Sequence, residues 1–209
     1  MNAEQLALLR AELVGYRERT PYAITRQHAD ATLRLLDRHA KPWQRSVPEG
    51  HLTASAWVVD RSGRYAAMIH HRKLNRWLQP GGHIDDTDQS WRTAAQRELA
   101  EETGLTAFLA HDSDNQLFDV DVHAIPARPD EPAHFHYDLR FLFVADVGVV
   151  HGVSGESSLA LNAEESNDCR WFALSDMAND TSLGPETHRM IELCMRRINL
   201  GTTLTDEAI

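Results

Sequence analysis

The first forty residues repeat apolar positions at helical spacing in two segments. These positions are Leu6, Leu9, Leu13 and Tyr16 in the first segment and Ala29, Leu33, Leu36 and Ala40 in the second. The spacing predicts two amphipathic helices, because residues three and four apart share one face of a helix. Pro21 separates the two helices, and Thr25 is predicted to be the N-cap of the second. Prolines and a glycine in 41–50 predict a connector.

Strand-forming residues dominate the middle of the chain. Strands are predicted at residues 51–60, 65–71, 117–122, 134–147 and 169–174. A helix is predicted over 90–103, with Gly104 as its C-terminal glycine, and a last helix begins at Pro185. Strands on both sides of a central helix favour a mixed α/β or α+β fold. We divide the chain into an N-terminal helical extension (1–49), a central domain (50–180) and a C-terminal helix and tail packed on that domain (181–209).

Composition and charge narrow the class of protein. The 209 residues are 42% hydrophobic and 25% charged, which suffices for a core without disulfides. No apolar run approaches the roughly 18 residues of a membrane span, and the first residues lack the features of a signal peptide. With only two cysteines, Cys169 and Cys194, we expect a cytoplasmic protein. A net charge of -10 repels polyanions, so nucleic-acid binding is not expected.

Three carboxylates are concentrated at the end of the predicted central helix. Glu98, Glu101 and Glu102 stand at positions i, i+3 and i+4 and therefore share one face. Their mutual repulsion and the negative end of the helix dipole are both unfavourable there. A divalent cation such as Mg²⁺ would compensate, since it prefers oxygen ligands, and the adjacent Arg97 could hold one carboxylate in position. The spacing alone leaves open a solvated acidic face.

The residues around these carboxylates resemble a known motif. The stretch from Gly82 to Leu105 is similar to the Nudix box of the Nudix hydrolases, Gly-x5-Glu-x7-Arg-Glu-(aliphatic)-x-Glu-Glu-x-Gly-(aliphatic). Its second half, from Arg97 to Leu105, matches at every defined position. The first half differs, because the loop is one residue longer and Asp88 stands in place of the upstream glutamate. In the family that glutamate helps to orient the helix and its arginine.

The resemblance implies a fold, a reaction and a set of catalytic residues. The fold is a mixed β-sheet between helices, and the reaction is hydrolysis of the diphosphate of a nucleoside diphosphate linked to a group X, with metal-activated water. Glu98, Glu101, Glu102 and the carbonyl of Gly81 are expected to bind Mg²⁺ or Mn²⁺, with Arg97 also in the catalytic site. Such sites often recruit an acid from outside the box. Glu164 and Glu165 are the candidates here, and we place Glu165 in the site; both could equally be solvated loop acids.

Candidate substrate-binding residues lie outside the carboxylate cluster. Arg72, Lys73 and Arg76 form a basic loop just before the glycines, and His83 follows Gly82 directly. The loop cations could contact the phosphates of the substrate or could simply be solvated. Alternation along 134–144 places His136 and Arg140 on one polar face, which could line the substrate cleft. The string His-x-His-x-Asp could instead bind a transition metal, and a water-exposed sheet face is a further alternative.

Two other functions compete with hydrolysis. Isopentenyl diphosphate isomerases have a similar fold and a histidine-rich metal site, but Gly81 stands where they carry a catalytic cysteine. A non-catalytic domain that senses a nucleotide is the other reading. Such regulators usually add a DNA-binding module, for which the first fifty residues, with eight basic and six acidic side chains, are too weakly charged. We expect a small nucleotide or diphosphate substrate, no membrane partner and, from the frequency of such assemblies, a homodimer. The identity of X is left open.

Overall fold

The computed structural model describes residues 1–109, 116–129, 131–147, 159–160 and 166–200, and for residues 198–200 it describes the backbone alone. Five helices and eight strands lie in these ranges. The helices are α1 (Ala3–Arg19), α2 (Ala23–Arg38), α3 (Trp91–Thr103), α4 (Leu174–Met177) and α5 (Pro185–Leu200). The strands are β1 (Gly50–Val59), β2 (Tyr65–His71), β3 (Arg76–Leu78), β4 (Gly81–His83), β5 (Phe108–Leu109), β6 (Asp119–Ile125), β7 (His134–Ala145) and β8 (Ser166–Ala173). The mixed α+β fold predicted from the sequence is confirmed.

The sheet is organised around one parallel pair. Strands β1 and β7 run side by side in continuous register, from Gly50 opposite Phe135 to Val59 opposite Val144. The other strand pairs in the described ranges are antiparallel. Strand β2 pairs with the C-terminal end of β1 and β4 pairs with its middle. Strands β5 and β6 pair with β7, and β3 and β8 pair with β2. Strand β4 therefore brings the residues before α3 against the centre of the sheet.

Helices cover the sheet on both faces. Alternate residues of β1 face opposite sides: Ala56 packs in the core cluster that includes helices α1, α2 and α3, whereas Trp57 packs in the cluster of α4 and α5. Both residues are fully buried. This arrangement is the sheet between helices that the resemblance implied. None of the helices in the described ranges combines the length and apolar character that a membrane span requires.

The ends of the helices follow local capping rules, with one correction. Helix α3 begins after Ser90, whose side chain and that of Thr93 form a capping box, and it ends at Gly104 with φ +73°. The predicted end of the helix at Thr103, followed by Gly104, is confirmed, and the helix begins one residue after the predicted start at Ser90. The prediction of Thr25 as the N-cap of α2 was wrong, because that helix begins two residues earlier, at Ala23. The Thr25 hydroxyl is buried and lies 2.7 Å from the hydroxyl of Thr20.

Candidate active site

The three carboxylates of α3 lie on the side of the helix that faces β4. Glu98 and Glu102 are buried, whereas the Glu101 side chain is 52% exposed. Glu102 accepts a hydrogen bond of 2.8 Å from the backbone N–H of Gly81. Two buried carboxyl groups and one exposed carboxyl group thus lie at the end of the helix, with Glu101 the most exposed of the three. Such a cluster of oxygen donors suits a hard divalent cation.

Arg97 connects the loop before α3 to these carboxylates. Its Nε and Nη2 atoms donate to the two carboxylate oxygens of Asp88, at 3.1 and 3.0 Å. Its Nη1 atom donates to Glu98 at 3.0 Å and to Glu101 at 3.1 Å. The hydrogen bonds to Asp88, followed by the charge of Glu98, raise the pKa of Arg97 above its ordinary value although burial opposes this. Asp88 thus contacts the arginine that the upstream glutamate of the motif is expected to orient.

Two glycines allow β4 to approach its neighbours closely. Gly81 has φ +155°, and a Cβ atom there would lie 2.6 Å from the Cα atom of Ser55 on β1. A Cβ atom on Gly82 would lie 2.6 Å from the Oε2 atom of Glu98. Glycine at 82 therefore leaves the space that the carboxylate of Glu98 occupies.

A comparison with protein families identifies the family to which this fold and its carboxylate cluster belong. A family model described as the NUDIX domain matches residues 49–194. The chain belongs to the Nudix family. It is accordingly a pyrophosphohydrolase, which places it among the hydrolases that act on acid anhydrides in phosphorus-containing compounds. The matched range contains the α3 carboxylates, Arg97 and Gly82, which lie in the stretch that resembles the Nudix box.

Solved structures share the Nudix fold at low sequence identity. A Caenorhabditis relative, the "C. elegans Ap4A hydrolase" in a binary complex, is 16% identical with a TM-score of 0.51, covering 71% of this chain and 97% of its own. A NUDIX family hydrolase from Clostridium perfringens is 21% identical (TM-score 0.47; 72% and 97% covered). The MutT protein from Methanosarcina mazei Go1 is 17% identical (TM-score 0.47; 72% and 96% covered). No curated protein matches the chain.

The basic residues predicted to bind substrate lie on the hairpin of β2 and β3. Arg72 donates from Nε to the side-chain oxygen of Asn167 at 3.2 Å. Arg76 lies 3.5 Å from a carboxylate oxygen of Glu186 on α5, and both side chains of the pair are at least partly exposed. These contacts do not involve the Nudix box. The role of the two arginines in substrate binding stays a prediction.

Arg140 lies inside the fold in a network of ion pairs. Its side chain is 2% exposed, and its Nε, Nη1 and Nη2 atoms lie 2.8, 3.0 and 3.2 Å from oxygens of Asp138, Asp119 and Asp121. Arg189 of α5 adds a second cation, 2.8 Å from Asp119. Because each Arg140 nitrogen faces an internal carboxylate, we leave Arg140 out of the proposed substrate site and assign it to the packing of β6, β7 and α5.

Histidines gather beside the Nudix box. The ring of His51 on β1 lies 5.1 Å from that of His83 and 4.9 Å from that of His136, measured between ring centroids. Burial, which is the main cause, lowers the pKa of His51 to about 4 and that of His83 to about 3. Burial also lowers the pKa of His136, to about 2. These imidazoles are therefore neutral near pH 7.

Sequence reasoning missed some members of these groups. His51 was not singled out, although it begins a predicted strand; its proximity to His136 follows from the pairing of β1 with β7, which places the two residues opposite each other. Asp119 and Asp121 were missed as partners of Arg140, although their alternation along a strand was a signal. Glu164 and Glu165, the predicted outside acids, lie outside the described residues.

Proposed function

We propose that this Nudix enzyme hydrolyses the diphosphate of a nucleoside diphosphate linked to X, with Mg²⁺ or Mn²⁺ as cofactor. The observation that carries the proposal is the set of contacts made by Arg97, which joins Asp88 to two of the three α3 carboxylates. A side chain with this many charged partners keeps the carboxylates at defined positions. They are hard oxygen donors, as these cations require.

We assign the residues of the box either to binding of the cation or to positioning of its ligands. Glu98, Glu101 and Glu102, with the Gly81 carbonyl, are the proposed cation ligands. When bound, a divalent cation lowers the pKa of water and neutralises charge on the diphosphate. Arg97 positions Glu98 and Glu101. Glu101 is the exposed member of the three, so the substrate is expected to approach from its side.

The substrate is an anion, and the chain itself carries a net charge of -10. Binding therefore depends on the cation and on local positive or neutral polar groups. We propose Arg72, Arg76, His83 and His136 for this role, and Glu165 as the additional acid. A cytoplasmic homodimer that binds neither nucleic acid nor membranes is the proposed context. The C. elegans neighbour is called an Ap4A hydrolase, which makes dinucleoside polyphosphates natural members of a substrate panel.

The isomerase alternative receives little support from the cysteines. Burial raises the pKa of both Cys169 and Cys194 to about 12, so neither thiol is ionised near neutral pH. Cys169 lies on β8 and Cys194 on α5, whereas Gly81 stands at the position of the isomerase cysteine. A nucleotide-sensing domain without turnover is the remaining alternative, and the assay below separates it from hydrolysis.

The test is a metal-dependent assay of the full chain. The panel contains nucleotide sugars, ADP-ribose, dinucleoside polyphosphates, NADH, coenzyme A and nucleoside triphosphates, and released phosphate is measured with and without alkaline phosphatase. We expect turnover of at least one compound that requires Mg²⁺ or Mn²⁺ and decreases at least about 100-fold in Glu101→Gln. Glu18→Gln, an exposed glutamate of α1, is the matched control and should retain full activity. Binding of nucleotides with no turnover across the panel would contradict the proposal.

A further inference from the structure

Three strands bring one histidine each to a single point of the sheet. His51 of β1 is the register partner of His136 on the parallel strand β7, and β4 pairs with the other side of β1 and contributes His83. One ring nitrogen from each of the three side chains lies within 4.8 Å of those of the other two. Donor atoms at this separation need only small side-chain movements to meet at one ion, since zinc–nitrogen bonds measure about 2.0–2.1 Å.

Three ring nitrogens of this cluster are buried without a hydrogen-bond partner among the described residues. His51 is 1% exposed, and neither of its ring nitrogens has a hydrogen-bond partner among the described residues. The Nε2 atom of His83 is likewise buried and unpartnered. A buried polar atom without a partner is unfavourable, so several of them in one cluster favour the binding of a ligand there.

We propose that His51, His83 and His136 form a second metal site, which binds a transition-metal ion of the Zn²⁺ type and is separate from the α3 carboxylates. Imidazole nitrogen suits Zn²⁺ and similar ions, whereas Mg²⁺ prefers oxygen. Three histidines leave a fourth position of a tetrahedral ion for water or another ligand. The site goes beyond the proposed hydrolysis, because none of its donors is an α3 carboxylate, although His83 and His136 are also proposed above to contact the substrate.

Arg45 provides a specific consequence of this geometry. Its Nη2 atom lies 2.9 Å from the Nδ1 atom of His83, and since arginine can only donate, that nitrogen accepts. A neutral His83 then carries its proton on Nε2, the buried atom. Metal binding at Nε2 requires the proton to move to Nδ1, and binding at Nδ1 requires that atom to be released; in both cases the contact with Arg45 is lost. Arg45 therefore opposes loading of the site.

The experiment measures Zn²⁺ binding by the full chain after removal of metals with a chelator. Equilibrium dialysis with elemental analysis gives the stoichiometry, and competition with a chromophoric chelator gives Kd. We expect one Zn²⁺ per chain that survives excess Mg²⁺ and is retained in Glu101→Gln. Affinity should fall more than about 100-fold in His51→Gln and in His136→Asn but be unchanged in His188→Gln, a histidine of α5 outside the cluster.

Two further measurements distinguish loss of the metal site from misfolding of a variant. Arg45→Ala removes the exposed side chain that donates to His83 and should tighten Zn²⁺ binding by roughly 2- to 10-fold, the equivalent of one hydrogen bond. Co²⁺ replacing Zn²⁺ should give the intense visible absorption of a four-coordinate ion, and His51→Gln should lose it. The proposal is overturned if folded His51→Gln keeps its Zn²⁺, if Glu101→Gln loses it, if Mg²⁺ displaces it, or if Arg45→Ala binds no more tightly. Failure of the hydrolysis assay leaves these outcomes unaffected, so the two proposals fail separately.

Discussion

Glycine is required at two adjacent positions of β4 for different reasons. At Gly81 the added Cβ atom would meet the backbone of Ser55, and φ is +155°, where other residues are strained. At Gly82 it would meet the terminal carboxylate of Glu98. A strand backbone cannot move aside easily, but the end of a glutamate side chain can. Glycine at 81 is therefore required for the pairing of β4 with β1, and glycine at 82 is required for the position of the Glu98 carboxylate.

Substitution of the two glycines by alanine should separate these roles. Gly82→Ala is expected to displace the Glu98 carboxylate, lowering kcat/KM about 10- to 100-fold while the free energy of unfolding changes by less than about 1 kcal/mol. Gly81→Ala should lower the free energy of unfolding by at least about 2 kcal/mol. Steady-state kinetics and urea unfolding of both variants provide the check. Equal losses of stability would show that Glu98 cannot move to accommodate the methyl group.

Asp88 should matter through Arg97. Asp88→Ala removes both oxygens that accept from Arg97, so the arginine no longer holds Glu98 and Glu101 in place, and kcat should fall about 10- to 100-fold. Asp88→Glu keeps the charge and should retain more activity than Asp88→Ala. Kinetics at saturating Mg²⁺ measure the difference. The control is Asp168→Ala, which removes an acid of β8 and should leave kcat unchanged. If Asp88→Ala is as active as the wild type, Asp88 does not belong to the site.

At the residue scale the sequence was most informative where the motif is local. The three glutamates lie within five positions, so helical geometry alone places them on one face, and Arg97 stands four residues before Glu101. His51 could not be assigned, because its partner His136 is brought to it by a pairing between distant strands. Arg140 was placed on the correct polar face of β7, but alternation does not tell whether such a face meets solvent or buried acids.

At the scale of elements, the buried ion pairs join β6, β7 and α5. Asp119 accepts from the Tyr16 hydroxyl at 3.0 Å and from Arg140 and Arg189, which connects α1 to the same group. Breaking one partner of such a network leaves an uncompensated charge, which costs about 3–5 kcal/mol. The network thus fixes how the C-terminal helix meets the sheet. Its members alternate along strands that the sequence predicted, but their partners on α1 and α5 required the tertiary structure.

This network should make stability sensitive to acid. Burial would raise the pKa of Asp121, but the hydrogen bond with His123 and the charges of Arg140 and Arg189 outweigh it and hold the pKa well below its ordinary value. An aspartate in the unfolded chain has a pKa of about 3.9. The stabilisation of the fold by Asp121 is therefore complete above that pH and is lost as the pH falls below it. Urea unfolding at pH 7, 5 and 3 should show the decline, with a shallower slope in Asp121→Asn. An identical slope in the variant would assign the acid sensitivity to other groups.

At the scale of the whole molecule, the N-terminal helices share the core of the Nudix domain. Leu13 of α1 is fully buried and belongs to the same cluster as Leu99 of α3 and Leu139 of β7. Residues 1–49 were described from the sequence as an extension, since amphipathic helices reveal an apolar face but not the surface that it covers. The family match begins at residue 49, yet the core continues across this boundary.

A pair of leucine substitutions in α1 tests this shared core. Leu13→Ala should lower the free energy of unfolding of the entire chain by about 2–5 kcal/mol, because it leaves a cavity in the common cluster. Leu8→Ala in the same helix is the control, since Leu8 is 65% exposed, and it should change stability by less than about 0.5 kcal/mol. Unfolding followed by both tryptophan fluorescence and circular dichroism should give one transition. Two separate transitions in Leu13→Ala would show that the helices unfold independently.

The parallel pairing of β1 with β7 also has a consequence during protein synthesis. Each residue of β1 pairs with one 85 positions later, as Val59 does with Val144. At about 5–20 residues per second, a ribosome takes roughly 4 to 17 s to produce that partner. During this interval one long edge of β1, an apolar strand, has no partner to pair with. The nascent chain therefore exposes an aggregation-prone edge, and binding of β1 by chaperones on the ribosome would shield it until β7 emerges.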